Sequence, residues 1–229
     1  MTTPPAVEAS AAEASDALEL RITEIFLSLQ GESLSVGLPT VFVRLTGCPL
    51  RCGYCDTAYA FKGGERMPLE AVLERVADHG VQHVCVTGGE PLAQRGCLDL
   101  LQGLCDAGHK VSLETSGAID LAGVDPRVVK VMDLKTPGSG EVARNRYDNL
   151  DLLGPRDQVK FVICDEADYA WSLEQLASHR LDERCEVLFS PCFGSLEPAT
   201  LADWMVRDRP RARFQLQLHK ILWGDTPGR

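Results

Sequence analysis

At 229 residues, 45% hydrophobic and 24% charged, the chain can bury one sizeable core and has the composition of neither a disordered nor a membrane protein. Asp and Glu outnumber Lys and Arg 33 to 23; the net charge of -10 has the wrong sign for an affinity built on neutralising phosphates, so direct nucleic-acid binding is disfavoured. No uncharged apolar run approaches the roughly 18 residues that span a bilayer, and no basic region leads into an apolar one at the N-terminus, which points to a cytoplasmic protein without membrane contact.

Residues 1–17 are rich in Ala, Ser, Pro and Glu, with little beyond Val7 that is large and apolar. Burial there cannot offset the entropy of ordering, so they read as a disordered tail ahead of a single domain over 18–229. From Leu18 onward, β-rich runs at 21–29, 40–47, 83–89, 110–117, 128–135, 158–165, 186–192 and 213–220 read as strands. Segments 69–79, 97–108, 166–179 and 199–208 carry apolar residues at i, i+3, i+4 and read as amphipathic helices, with 141–153 a weaker helical candidate. Alternating β and α units with strands nearly continuous in Val, Ile, Leu and Phe predict an α/β fold, a parallel sheet curved into a partial or complete βα barrel. In such barrels function gathers in the loops after the strands, and the Gly-rich and polar signals fall there.

Nine cysteines in a reducing compartment argue for thiolate chemistry or buried thiols over a disulfide framework. Cys48, Cys52 and Cys55 stand in GCPLRCGYCDT, a loop that Gly47, Pro49 and Gly53 can bend so that three thiolates converge on a soft metal centre. No second CxxC and no HxxxH is present to complete a zinc site, although a distant Cys or His could do so. For an iron-sulfur cluster, three ligands instead of four leave one iron open. Cys85, Cys97, Cys105, Cys164 and Cys185 read as small buried hydrophobes, whereas Cys192 lies at a strand end that should face the site. In TGGEP (87–91), Gly88 and Gly89 allow close backbone approach and Glu90 offers an acceptor.

CPLRCGYC followed by TGGEP resembles the paired cluster and S-adenosylmethionine (SAM) motifs of the radical SAM superfamily. From about Ile22 to Trp223, EIFLSLQGES, VFVRLTGCPLRCGYCDTAY, TGGEP, ETSG and QLHK together resemble the 7-carboxy-7-deazaguanine synthase family. The resemblance implies a partial or modified (βα)6 TIM-like barrel of the radical SAM type, with a 4Fe-4S cluster on Cys48, Cys52 and Cys55. It also implies a lyase that converts 6-carboxy-5,6,7,8-tetrahydropterin to 7-carboxy-7-deazaguanine with loss of ammonia, on the route to queuosine. Its cofactors would be the cluster, SAM and Mg2+, its partners a flavodoxin-like electron donor and a second copy in a homodimer.

The same resemblance assigns Leu29, Gln30, Gly31, Glu32, Arg44, Thr87 and His219 to the pterin and Thr57 to Mg2+. It assigns Tyr54, Asp56, Gly88, Gly89, Glu90, Glu114, Ser116, Asp133, Leu134, Lys135, Ser190, Pro191, Cys192 and Phe193 to SAM, with Thr115 beside them. Residue chemistry agrees at several positions: the Arg44 fork suits a carboxylate, Gln30 and Glu32 suit a guanine-like edge, and the Thr57 hydroxyl suits a hydrated Mg2+. The chain departs from the family where it has DLK (133–135) in place of SPK, QLHK (217–220) in place of QTHK, and DTPGR beyond Trp223. A radical SAM activase acting on a glycyl-radical partner, and a non-catalytic iron-sulfur or zinc protein, are the rival readings.

Overall fold

The computed structural model describes residues 18–224 together with Thr226 and Gly228; the tail expected over 1–17 lies outside the described residues. Nine strands form one sheet: β1 (Glu19–Leu29), β2 (Pro39–Leu45), β3 (Glu65–Pro68), β4 (His83–Gly88), β5 (Lys110–Thr115), β6 (Val129–Asp133), β7 (Gln158–Ile163), β8 (Glu186–Pro191) and β9 (Arg213–Phe214). The order is β3-β1-β2-β4-β5-β6-β7-β8-β9, and every pairing from β2 to β9 is parallel. The helices are α1 (Leu69–Ala77), α2 (Cys97–Asp106), α3 (Glu166–Ser178), α4 (Pro198–Asp208) and α5 (Leu218–Trp223). This is the mixed α/β sheet of a partial TIM-like barrel. Among the described residues, no helix is long and apolar enough to cross a membrane.

Helices α1 to α4 form where the periodicity places them. Val72 and Val76 of α1, and Cys97, Leu100, Leu101 and Leu104 of α2, are buried against β1, β2, β4 and β5 in one apolar cluster. Each fully buried leucine there contributes roughly 2 kcal/mol. A second cluster lies under α3 and α4, where Phe161 and Phe189 meet edge to face at 5.5 Å and Tyr169 packs on Phe189 at 5.9 Å. Asp165 caps α3 by accepting from Asp168 N, and Pro198 opens α4 at the position where a missing N–H costs nothing.

Three expectations differ in detail. β1 pairs antiparallel with β2, Leu29 opposite Pro39, and β3 adds antiparallel to β1, so the N-terminal edge is a hairpin ribbon. Nine residues without helical periodicity cannot carry the chain back for a parallel pairing. The weak helix over 141–153 is instead a pair of three-ten turns, Val142–Arg144 and Tyr147–Leu152. Asn145 turns extended between them, because its side chain bonds the Lys135 backbone N–H at 2.9 Å and C=O at 2.8 Å. Asn149, inside the second of these turns, spends its side chain on the Leu121 N–H and the Gly117 and Ile119 carbonyls. The strand expected over 213–220 pairs only at Arg213 and Phe214; QLHK bends away and enters α5.

The bend has a purpose in the fold. Between the β1 and β9 sides of the sheet, the 30–38 loop is the bridge: Ser33 N donates to Gln215 Oε1 at 2.7 Å, Gln215 Nε2 returns a bond to Ser33 O at 2.8 Å, and Leu218 N donates to Gly31 O at 2.9 Å. Leu34 N also donates to Gln158 Oε1, at the first residue of β7. The barrel is thus drawn together by a loop where a full barrel would use a strand.

Candidate active site

A cavity of about 660 Å³ opens inside the curved sheet, toward the C-terminal ends of β2, β4, β5, β6, β7 and β8. The 30–32 segment enters it from the other direction, because β1 runs antiparallel and its end sits beside the start of β2. Strand-end chemistry and the hairpin therefore meet across one space.

The cysteine loop follows β2. Gly47, at φ 103°, turns the chain, and its amide donates to Ala60 O at 2.8 Å while Gly53 N donates to Ser139 O at 3.0 Å. Cys48, Cys52 and Cys55 all line the cavity, each partly exposed. No trio of His, Cys, Asp and Glu among the described residues is close enough to hold a single metal ion. In a 4Fe-4S cluster each thiolate takes a different iron, so three cysteines of one loop can serve it from separate positions. Burial pushes the Cys48 and Cys52 thiols up, with Lys135 pulling the other way, so a bound cluster must supply the charge that ionises them.

TGGEP has a mechanical explanation. A methyl group on Gly88 would lie 2.4 Å from Leu45 O, and one on Gly89 would lie 2.4 Å from Gly47 O and 2.6 Å from Cys48 Cβ. Only glycine lets the end of β4 press on the cysteine loop. Glu90 N then donates to Gly47 O, and the Glu90 carboxylate, fully buried, accepts from Thr115 Oγ1 at 2.9 Å, Ser116 N at 2.7 Å and Ser116 Oγ at 2.5 Å. Its oxygens are engaged within the protein. Glu90, Leu134, Ser190 and Pro191 lie behind the wall, whereas Tyr54, Asp56, Gly88, Gly89, Glu114, Ser116, Asp133, Lys135, Cys192 and Phe193 face the cavity.

On the cysteine side, Lys135 Nζ lies 2.9 Å from Asp133 Oδ2 and 5.7 Å from the centre of the Tyr54 ring. Tyr54 OH and Asp133 Oδ1 are buried without a hydrogen-bond partner among the described residues. Two orphaned polar atoms in one cavity wall mark a place where a polar ligand belongs.

On the hairpin side, Arg44 Nε lies 2.6 Å from Glu24 Oε1, to which Tyr59 also donates at 2.8 Å. Burial and Glu24 push the Tyr59 hydroxyl up to about 12, so it stays a neutral donor. Glu114 accepts from Gln30 Nε2 and Thr87 Oγ1, both at 3.2 Å and both residues expected to read the pterin. Glu32 accepts from Lys160 Nζ at 2.5 Å and Gln217 Nε2 at 2.8 Å. His219 packs against Gly31, where a methyl group would come 2.1 Å from His219 Nδ1. Leu29 and Thr87 line the same wall.

Thr57 donates to Asp56 Oδ1 at 2.7 Å, and Asp56 Oδ2 lies 3.1 Å from Lys220 Nζ, which in turn lies 5.5 Å from the centre of the Phe193 ring. Gly224, Thr226 and Gly228 border the cavity, so the C-terminal extension does approach the site. Glu24, Tyr59 and Lys160 line or support the cavity without standing among the residues the sequence assigns to it, and Gln217 and Lys220 join it from QLHK beside His219. The available signal was a charge interrupting an apolar strand, QVKFVI for Lys160.

Residues 42–134 match the family model of the radical SAM superfamily. A 7-carboxy-7-deazaguanine synthase of Chlorobaculum tepidum is 46% identical over 207 residues, 89% of this chain and 94% of that protein. One of Koribacter versatilis is 42% identical, over 89% of this chain and 97% of that protein. Among solved structures, QueE from Escherichia coli superposes with a TM-score of 0.72 at 23% identity, over 88% of this chain and 95% of that one. SuiB of Streptococcus suis, solved with a precursor peptide, has a TM-score of 0.54 at 15% identity, over 75% of this chain and 46% of that one; it shares the fold.

Proposed function

The chain belongs to the 7-carboxy-7-deazaguanine synthase family of radical SAM lyases, and from that membership we propose how its cavity divides the work. The protein converts 6-carboxy-5,6,7,8-tetrahydropterin to 7-carboxy-7-deazaguanine with loss of ammonia, using a 4Fe-4S cluster and SAM. The observation that carries the division is that the cysteine loop, the TGGEP strand end and the 30–32 hairpin line one cavity of about 660 Å³, within the usual range of small-ligand sites.

In this reading Cys48, Cys52 and Cys55 hold the cluster, and Gly88, Gly89, Ser116, Tyr54, Asp133, Lys135, Cys192 and Phe193 surround SAM. Bound together, cluster and SAM supply the one-electron chemistry that starts hydrogen abstraction from the pterin. The protein's own residues bind, orient and exclude water. Arg44, steadied through Nε by Glu24, presents its remaining nitrogens to the pterin carboxylate. Gln30, Glu32 and Glu114 accept and donate along the guanine-like edge, a role for Glu114 that its bonds to Gln30 and Thr87 support. His219, seated on Gly31, closes the pterin's other flank. Glu90 acts at one remove, fixing Ser116 and the cysteine loop.

Thr57 and Asp56 are the residues to hold Mg2+, with a hard oxygen pair next to the cluster loop. The protein works in the cytoplasm as a homodimer, a reading supported by its free cysteines and by the exposed Leu34, Val36 and Leu38 on the 30–38 loop. A flavodoxin-like donor delivers the electron. Anaerobic incubation of the reconstituted protein with SAM, a reductant and the carboxytetrahydropterin tests the substrate: pterin-dependent formation of 7-carboxy-7-deazaguanine is expected. Turnover only with a polypeptide partner would favour the activase reading.

A further inference from the structure

Lys160 stands in none of the motifs that mark the site. From the middle of β7 its ammonium reaches between two carboxylates that come from distant parts of the chain, Glu32 Oε2 at 2.5 Å and Asp133 Oδ2 at 3.8 Å. Each partner is committed further. Glu32 takes a 2.8 Å bond from Gln217, and Asp133 lies 2.9 Å from Lys135 while its Oδ1 is unpartnered. A row of charged and polar side chains thus lines the cavity, from Gln217 and Glu32 through Lys160 to Asp133, Lys135 and the Tyr54 ring.

A buried ammonium needs one carboxylate to be tolerated. Here it has two, at unequal distances, one from the 30–38 loop and one from the neighbouring strand β6. Burial works against the charge, yet Glu32, Asp133 and Glu114 together hold the lysine well above its ordinary value, so it stays a cation throughout the working range.

We propose that Lys160 is a positioning residue shared by the two ligand sites, holding Glu32 toward the pterin and Asp133 toward SAM so that occupancy of either site is felt at the other. The proposal rests on the division of the cavity given above. When ring N–H groups donate to Glu32, that carboxylate needs its cation less, and the ammonium gains freedom to move toward Asp133. Asp133 then competes less for Lys135, which becomes available to an anionic group of SAM. Linkage requires the reverse effect with the same factor.

Equilibrium titrations of the reconstituted protein test this without turnover: pterin affinity with and without SAM, and SAM affinity with and without pterin. Wild type should show each ligand tightening the other by at least about fivefold, the lower end of ordinary coupling. K160M should weaken both ligands by roughly tenfold or more and abolish the coupling, because it leaves two carboxylates without their shared cation. K160R should restore most of both. Because K160M can fail to fold, K160Q, which keeps an N–H donor but no charge, is measured beside it and must lose the coupling too. If K160Q weakens the pterin alone, or retains wild-type coupling, the proposal is overturned while the site assignment stands. Wild-type protein that binds no pterin overturns the site assignment and this proposal with it.

Discussion

The Nε of Arg44 lies 2.6 Å from Oε1 of Glu24, across the antiparallel pair of β1 and β2, and this one contact leaves the two terminal nitrogens of the guanidinium for the cavity. A lysine at this position offers a point charge in place of a fork and has nothing for Glu24 to align. R44K is expected to raise KM for the carboxytetrahydropterin by roughly tenfold or more, with a smaller change in kcat. E24A, which releases the fork without removing it, should raise KM less. Steady-state kinetics on the two variants checks the ranking.

Two glycines carry opposite failures. Gly31→Ala places a methyl group against the His219 ring, a side chain that can move, so the protein should fold and load its cluster while losing pterin affinity. Gly89→Ala drives a methyl group into the Gly47 carbonyl and Cys48 Cβ, backbone and ligand that cannot both yield. Iron and sulfide content after reconstitution should be near wild type for the first variant and clearly reduced for the second.

Glu32 makes a prediction with a definite sign. Burial alone would raise its carboxyl, but Lys160 and a bond from Gln217 bring it below its ordinary 4.5. A carboxyl depressed on folding adds stability that is present above its unfolded value and is lost as the pH falls through its folded one. In wild type the Glu32 contribution to the melting temperature should therefore hold from about pH 7 down to the ordinary carboxylate range and fall away only below it. In K160M burial dominates, the carboxyl is raised, and stability should improve as the pH is lowered from neutrality. E32Q in the K160M background should flatten that slope; thermal melts across pH read all three.

Asn145 holds the loop after β6 by both the N–H and C=O of Lys135. Asn145→Ala leaves those backbone groups unpaired and should cost about 1–3 kcal/mol of stability. Urea unfolding measures this directly. Weaker SAM binding should accompany it, since Lys135 sits on the loop that is released.

The catalytic identity was legible because it depends on residues that leave a sequence signature: Cys48, Cys52 and Cys55 at fixed spacing, and Gly88 and Gly89 where two backbones touch. The parallel strands and amphipathic helices were legible for the same reason, since apolar periodicity follows directly from which face is buried. Strand direction was not, because alternation looks the same either way; the helix-free stretch between Leu29 and Pro39 was the clue to β1. QLHK looked like a strand because Phe214, Leu216 and Leu218 alternate, and what bends it is a long-range exchange between Gln215 and Ser33. Asn145 and Asn149 broke the weak helix by serving backbone groups well upstream, Lys135 for the first and Gly117, Ile119 and Leu121 for the second. The roles of Lys160 and Lys220 are not legible in sequence, because a lysine's role is set by carboxylates far off in the chain, Glu32 and Asp133 for the first and Asp56 for the second.

One cavity brings a SAM-binding cluster and a carboxylated pterin together for a ring contraction. Mass spectrometry of an anaerobic reaction, with the carboxytetrahydropterin in large excess over SAM, checks this in a single experiment. 7-Carboxy-7-deazaguanine and ammonia are expected in equal amounts, many molecules of each per SAM, since SAM is regenerated in this chemistry. A protein with a full cluster complement that forms no deazaguanine, or that cleaves SAM without any dependence on the pterin, is not the enzyme described above.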